Sequence, residues 1–130
     1  MTVELSYLAY TAILAAALWI PYIACQVMTN GFLKAENYID PKARPVPLWG
    51  ARAHRAYQNA AESFAPFAAL VILVHLTGKA DAMTAIWAAT FFWMRLTHAV
   101  VYLLGIPFVR TLVFTVSFVA ECGLFWELIK

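Results

Sequence analysis

Apolar runs long enough to cross a bilayer dominate this chain, and brief polar or glycine-containing breaks separate them. Leu5 to Leu33 contains no charged residue. A helix needs roughly 20 residues, at about 1.5 Å each, to cross the hydrocarbon layer, so the first stretch predicts a helix over about 5–28. Pro21 is expected to kink it, and Asn30-Gly31 to end it. Residues 31–48 carry Lys34, Glu36, Asp40, Lys42, Arg44 and the prolines Pro41, Pro45 and Pro47, which reads as a loop. The next apolar run, Ser63 to Thr77, is too short to cross alone. Its helix must therefore start upstream, over about 49–77, and carry Asn59 and Glu62 into the membrane. Gly78-Lys79 closes it. A third helix is expected over about 82–104 with Arg95 and His98 inside it, broken by Gly105-Ile106-Pro107. A fourth is expected over about 108–129 with Glu121 inside it. Short connections make successive helices antiparallel neighbours. The expected fold is all-α: an integral membrane four-helix bundle of up-down topology, forming one transmembrane domain over residues 1–130.

Composition supports lipid as the solvent. Of the 130 residues, 64% are hydrophobic and 12% charged, whereas a soluble domain carries roughly a quarter charged residues. A net charge of +2 with no basic tract argues against a nucleic-acid partner. Cys25 and Cys122 lie in apolar runs without metal-ligand spacing, and read as small buried side chains. The N-terminal run lacks a basic leader and is too long for a signal-peptide core, so it is expected to be a retained helix. Lys34, Lys42, Arg44 and Arg110 lie on the side of the first and third loops, with Arg52 and Arg55 nearby. The positive-inside rule then places those loops in the cytoplasm and both termini on the opposite side.

The charged and polar residues within the spans are not scattered. Arg52, Arg55, Asn59 and Glu62 fall within an arc of about 80° on the second helix. Arg95, His98 and Tyr102 make one stripe on the third helix, and Arg110, Ser117 and Glu121 one on the fourth. Polar groups at membrane depth face a bundle interior, a cavity or a neighbouring subunit. Counted from their shared turn, Glu62 lies about 24 Å and Arg95 about 21 Å along their helices, a depth match that would allow an ion pair. The plainer reading of Asn59, Glu62 and Arg95 is interhelical hydrogen bonding. Arg52, Arg55, Arg95 and Arg110, with Tyr57, Gln58, His98 and Tyr102 nearby, suit a small anion bearing carboxylates. For Arg52 and Arg110, near helix ends, snorkelling to headgroups is the alternative. His54 and His75 read as interfacial. No Ser-His-Asp set, metal-ligand cluster or phosphate-cradling glycine loop is present in the sequence.

The stretch Arg52-Ala-His-Arg55-Ala-Tyr-Gln-Asn59-Ala-Ala-Glu62-Ser-Phe-Ala-Pro66-Phe67 resembles the signature of the membrane-associated proteins in eicosanoid and glutathione metabolism, the MAPEG family. The resemblance continues through Arg95-x-x-His98-x-x-x-Tyr102 and Arg110-Thr111, and covers essentially the whole chain. It implies a homotrimer with glutathione bound between protomers as co-substrate. Arg55, Asn59, Glu62, Arg95, Tyr102 and Arg110 match family residues around glutathione; Arg52 and His98 join them on the stripes. The resemblance further implies that Arg110 holds the cysteine thiol as thiolate, that Thr111 assists, and that the second substrate is a lipophilic electrophile or hydroperoxide from the bilayer. The sequence departs from the pattern at Met28, where some members carry a basic residue, at Tyr57 and Gln58, and at Ser63. Those departures motivate an alternative: a non-catalytic membrane protein of the same fold that binds a lipid or small anionic metabolite. A transporter using Glu62, Arg95 and Glu121 fits less well, because inverted repeats and broken helices are missing.

Overall fold

The structure is a computed structural model that describes residues 1–39 and 44–130. Asp40, Pro41 and Lys42 of the expected loop lie outside the described residues. The first apolar stretch forms two helices, α1 (Val3–Ala17) and α2 (Trp19–Asn30). Thr2 caps α1 by accepting from the Leu5 N–H at 3.4 Å. The interruption falls at Leu18, where the sequence pattern predicted one kinked helix. The cause is local: Pro21 has no N–H for the Ala17 carbonyl and its ring crowds that oxygen, so the ladder breaks one turn before the proline. Together Val3–Asn30 is still long and apolar enough to cross a membrane. Gly31, at φ 83°, then turns the chain out of the helix.

A single helical turn, α3 (Glu36–Ile39), interrupts the expected loop. The Arg44 guanidinium donates to the Glu36 carbonyl beside it. Three long helices follow: α4 (Leu48–Leu76), α5 (Ala82–Leu104) and α6 (Val109–Ile129). Pro66 is accommodated inside α4. Asp81 and Thr84 form a reciprocal capping box at the start of α5, at 2.8 and 2.7 Å. Gly105, at φ 72°, supplies the left-handed end of α5.

The core lies where α1, α4, α5 and α6 meet. Phe67 and Val71 of α4, Ala88 and Phe91 of α5, and Ala120 and Leu124 of α6 are buried together, with Leu5, Tyr7 and Leu8 of α1 against them. The Phe67 and Phe91 rings stack at 3.9 Å and 12°. Leu18, Ala60 and Ala99 form a second cluster nearer α2. Small residues set the helix spacing, as expected where backbones approach in lipid: Gly50 faces Cys25 and Gly123 faces the Trp87 ring. α5 and α6 form the most extensive helix pair.

Side-chain contacts tie the helix ends. Glu4 of α1, buried, accepts from the Thr84 hydroxyl at the start of α5. The Arg52 Nε–H of α4 donates to the Leu103 carbonyl at the end of α5 at 3.2 Å. The Lys79 ammonium donates to the Leu128 carbonyl at the end of α6 at 2.7 Å. Outward-facing Ile13, Trp19, Ile20, Leu73, Leu76, Trp93, Phe118 and Trp126 leave an apolar exterior, which suits acyl chains and not water. Val3–Asn30, Leu48–Leu76 and Val109–Ile129 are each long and apolar enough to span. α5, diluted by Arg95 and His98, packs along all three, so it shares their layer.

Candidate functional site

The stripes on α5 and α6 come together inside one subunit. Arg95 and His98 are 3% and 4% exposed. The Arg95 guanidinium lies 5.6 Å from the centre of the Phe114 ring. The His98 ring meets Tyr102 at 5.6 Å and Phe114 at 6.0 Å. One turn nearer the α5–α6 connection, the Arg110 guanidinium sits over the Tyr102 ring at 4.8 Å, within cation–π range. Arg110 and Thr111 are both exposed. A buried arginine and imidazole, capped by the outward-facing Phe114 ring, thus lead to an exposed arginine held by a phenol ring.

Phe114 is the member that polarity alone misses. It lies one helical turn beyond Arg110 on the same stripe, and that register was the available signal. Ser117 is buried and turns back on the Phe114 carbonyl at 2.7 Å.

The α4 stripe divides. The Arg52 guanidinium is committed to the end of α5 through its bond to the Leu103 carbonyl, and it packs against Gly105. A cation there also meets the negative end of the helix dipole. Arg55 and Glu62 are exposed, and Asn59 is half-buried with the Ser63 hydroxyl bonded to its carbonyl at 2.9 Å. The Glu62–Arg95 ion pair does not form. Among the described residues the one ion pair is Lys130–Glu127, at the opposite end of the bundle from Arg110. The acidic group acting on Arg95 is Glu121 of α6. Arg95 Nε and Nη1 and Glu121 Oε1 are all buried without a hydrogen-bond partner, and the two side chains form no ion pair. The His54 ring stacks on Tyr22 of α2 at 4.4 Å. Met28 points outward, and the last turn of α2 carries no basic residue. There Asn30 and Gln26 bond each other at 2.8 Å.

The family model for the MAPEG family matches residues 8–130. The chain belongs to the MAPEG family. No curated protein matches it. In this MAPEG chain the matched region runs from within α1 through α6 and takes in the stripes on α4, α5 and α6. At the other end of the bundle from Arg110, the loop groups are tuned by their neighbours. The Thr84 backbone N–H holds the Asp81 carboxyl below the ordinary carboxylate value, helped by the Met83 N–H and Lys130. The Glu127 carboxylate raises Lys130 above the ordinary lysine value.

Proposed function

We propose that the protein is a membrane-bound glutathione-dependent transferase or peroxidase acting on lipophilic electrophiles or hydroperoxides. It works as a homotrimer of up-down bundles, with the first and third loops on the cytoplasmic side. Membership of the MAPEG family supports the membrane setting. The end contacts of α1 with α5, α4 with α5, and Lys79 with α6 support the alternating helix directions. The observation that carries the activity is Arg110, exposed yet fixed over Tyr102 at 4.8 Å.

A cysteine thiol near pKa 8.5 is mostly protonated at neutral pH, and a guanidinium beside it favours the thiolate. Arg110 supplies that charge, and its stacking limits its motion. The thiolate sulfur then attacks an electrophilic carbon and expels the leaving group, or attacks the terminal oxygen of a hydroperoxide, breaking the O–O bond to leave glutathione sulfenic acid, which a second glutathione reduces to the disulfide with loss of water, and an alkoxide that protonates to the alcohol. Arg55, Asn59 and Glu62 stand outside the subunit's own core and bind glutathione's carboxylate and ammonium groups from the adjacent protomer. Thr111 lies next to Arg110, where its hydroxyl assists.

Calorimetric titration of glutathione into the purified protein, with turnover of chlorodinitrobenzene and a lipid hydroperoxide, tests this reading. Arg110→Ala should remove most of kcat while the trimer persists in cross-linking. Wild-type protein that neither binds glutathione nor turns over either substrate would sink the proposal. The second reading, a non-catalytic binder of a lipid or small anionic metabolite, rests on two observations: Arg52 is spent on the α5 terminus, and the last turn of α2 lacks a cation. It predicts no thermal stabilisation by glutathione.

A further inference from the structure

Among the described residues, two other than glycine take a positive φ: Leu33 at 54° and Phe108 at 65°. At Gly78 and Gly105 the chain meets the same demand with glycine. Phe108 is the centre of a γ-turn, with ψ −49° and the Val109 N–H donating to the Pro107 carbonyl at 2.7 Å, the rare and strained form of that turn. A bulky side chain at positive φ is an outlier, and it persists where its surroundings over-determine it. Its own subunit supplies little of that support, since Phe108 is 85% exposed and Leu33 68%.

Both residues lie at one end of the bundle. Gly50 of α4 packs against Cys25 of α2, and Arg52 bonds the end of α5, so the start of α4 brings the connections after α2 and after α5 to the same level. Phe32 and Ile39 are exposed there as well. The Asn37 side chain donates to the Asn30 and Gly31 carbonyls at 3.2 and 3.3 Å, which fastens this turn to the end of α2 with its apolar tips outward. The apolar exterior of the spans continues onto these tips through the exposed Met28, Leu48 and Leu104 at the helix ends. The turn at the opposite end, Thr77-Gly78-Lys79-Ala80-Asp81, has no large apolar side chain.

Position and charge identify what covers the tips. α4 has 29 residues and is about 43 Å long, whereas the hydrocarbon layer is about 30 Å thick, so its ends reach the headgroup layers. Among the described residues of the connection after α2, Lys34 and Arg44 are the cations and Glu36 the acid. A headgroup layer suits both features, with phosphates for the cations and the acyl boundary for the apolar tips.

We propose that the turn after α2 and Phe108 form a paired anchor, seated in the headgroup–acyl boundary of the phospholipid leaflet at this end. Burial of the tips in that leaflet offsets the backbone strain. The anchor depends on the membrane setting alone and stands whether or not the protein uses glutathione.

Nitroxide labels on the full chain in phosphatidylcholine nanodiscs test the seating. Cys25 is fully buried and Cys122 exposed, so Cys122→Ser leaves no reactive thiol. Phe32→Cys, Phe108→Cys and Ala80→Cys, one at a time, then carry the label. Labels at the first two positions should be relaxed more by oxygen than by a nickel chelate, and the label on the opposite turn the reverse. Stability gives an independent reading, because asparagine accepts positive φ more readily than phenylalanine. With the tip in water Phe108→Asn would raise Tm; with the tip in lipid it should lower Tm by several degrees. Greater access of the chelate than of oxygen at either tip overturns the proposal. So does a tip that neither reagent reaches, which would place a second protomer over it, and so does a raised Tm in Phe108→Asn. An Ala80→Cys label that behaves like the tips also overturns it, since seating would then follow from loop position alone. Where one tip variant fails to fold, the label on the other connection decides the matter.

Discussion

Gly50 stands in the first turn of α4, where Cys25 of α2 crosses it. A Cβ built there would lie 2.3 Å from the Cys25 sulfur, 3.2 Å from its Cβ and 3.3 Å from Val46 Cβ. The first separation is not sustainable, while the other two are tight contacts that a small shift relieves. Cys25 is fully buried, so its sulfur has no open side to turn toward. Helix propensity argues the other way, since alanine exceeds glycine by about 1 kcal/mol in a helix interior. Overpacking a close interface costs about 1–3 kcal/mol, which outweighs that gain or cancels it, so Gly50→Ala should not stabilise. The sulfur is the sole severe obstacle, so removing it should reverse the sign. In the cycle of wild type, Gly50→Ala, Cys25→Ala and the double variant, a favourable coupling of about 1–3 kcal/mol is expected. Circular-dichroism melts in one detergent measure it. The two substitutions acting additively, within about 0.5 kcal/mol, would refute the claim that a sulfur–backbone contact sets the spacing of α2 and α4. Arg52 and Arg55 follow in the next turn and a half, so glutathione affinity should fall in Gly50→Ala and recover in the double variant.

Arg52→Gln should cost about 1–2 kcal/mol through the lost bond to the Leu103 carbonyl. Titration should show a smaller loss of glutathione affinity than for Arg55→Gln, and equal losses would return Arg52 to the ligand set. Thr84→Val should destabilise by about 1–3 kcal/mol, because the buried Glu4 carboxylate loses its hydroxyl donor; thermal melts check this. The lowered Asp81 value stabilises the folded state above the unfolded carboxylate value, and this contribution disappears as pH falls through the folded value. Below about pH 4 the Tm advantage of wild type over Asp81→Asn should therefore shrink, and an advantage that persists at lower pH would assign it to a different group.

Most of the helical punctuation was legible because it has local causes. Asp81 before a run of helix formers, Gly78 and Gly105 after such runs, and Pro45 and Pro47 before Leu48 each act within a few residues. The displaced break at Leu18 was also local, since a proline acts on the carbonyl four residues earlier, at Ala17. What escaped was azimuth. Counting residues places Glu62 and Arg95 at similar depth but says nothing about which way each points. The inward face of α4 runs through Ala53, Ala56, Ala60, Phe67, Val71 and Val74. Glu62 is two residues, roughly 200°, past Ala60, so it points away from the core that Arg95 enters. The run of alanines carried that information, because small residues mark where helices approach, while the charges drew attention to the other side. Phe114 escaped for the opposite reason: an apolar ring on a polar stripe gives no compositional signal.

The polar residues therefore belong to two populations with different physical justification. Arg95, His98, Ser117 and Glu121 turn into the α5–α6 seam, where aromatic rings and opposite charge offset part of the cost of burial within a single subunit. Arg55 and Glu62 have no such support. Glu62 lies at the midpoint of Leu48–Leu76 with its side chain exposed, and a carboxylate at the centre of a span costs about 2.5–3.5 kcal/mol or more against lipid. Nothing among the described residues offsets that cost. A second protomer or a bound polar ligand that covers this face would, and by linkage whatever covers it is favoured by the same amount. The outward charge that made the ion-pair expectation fail is thus the strongest physical reason to expect assembly and ligand binding to be coupled at this surface.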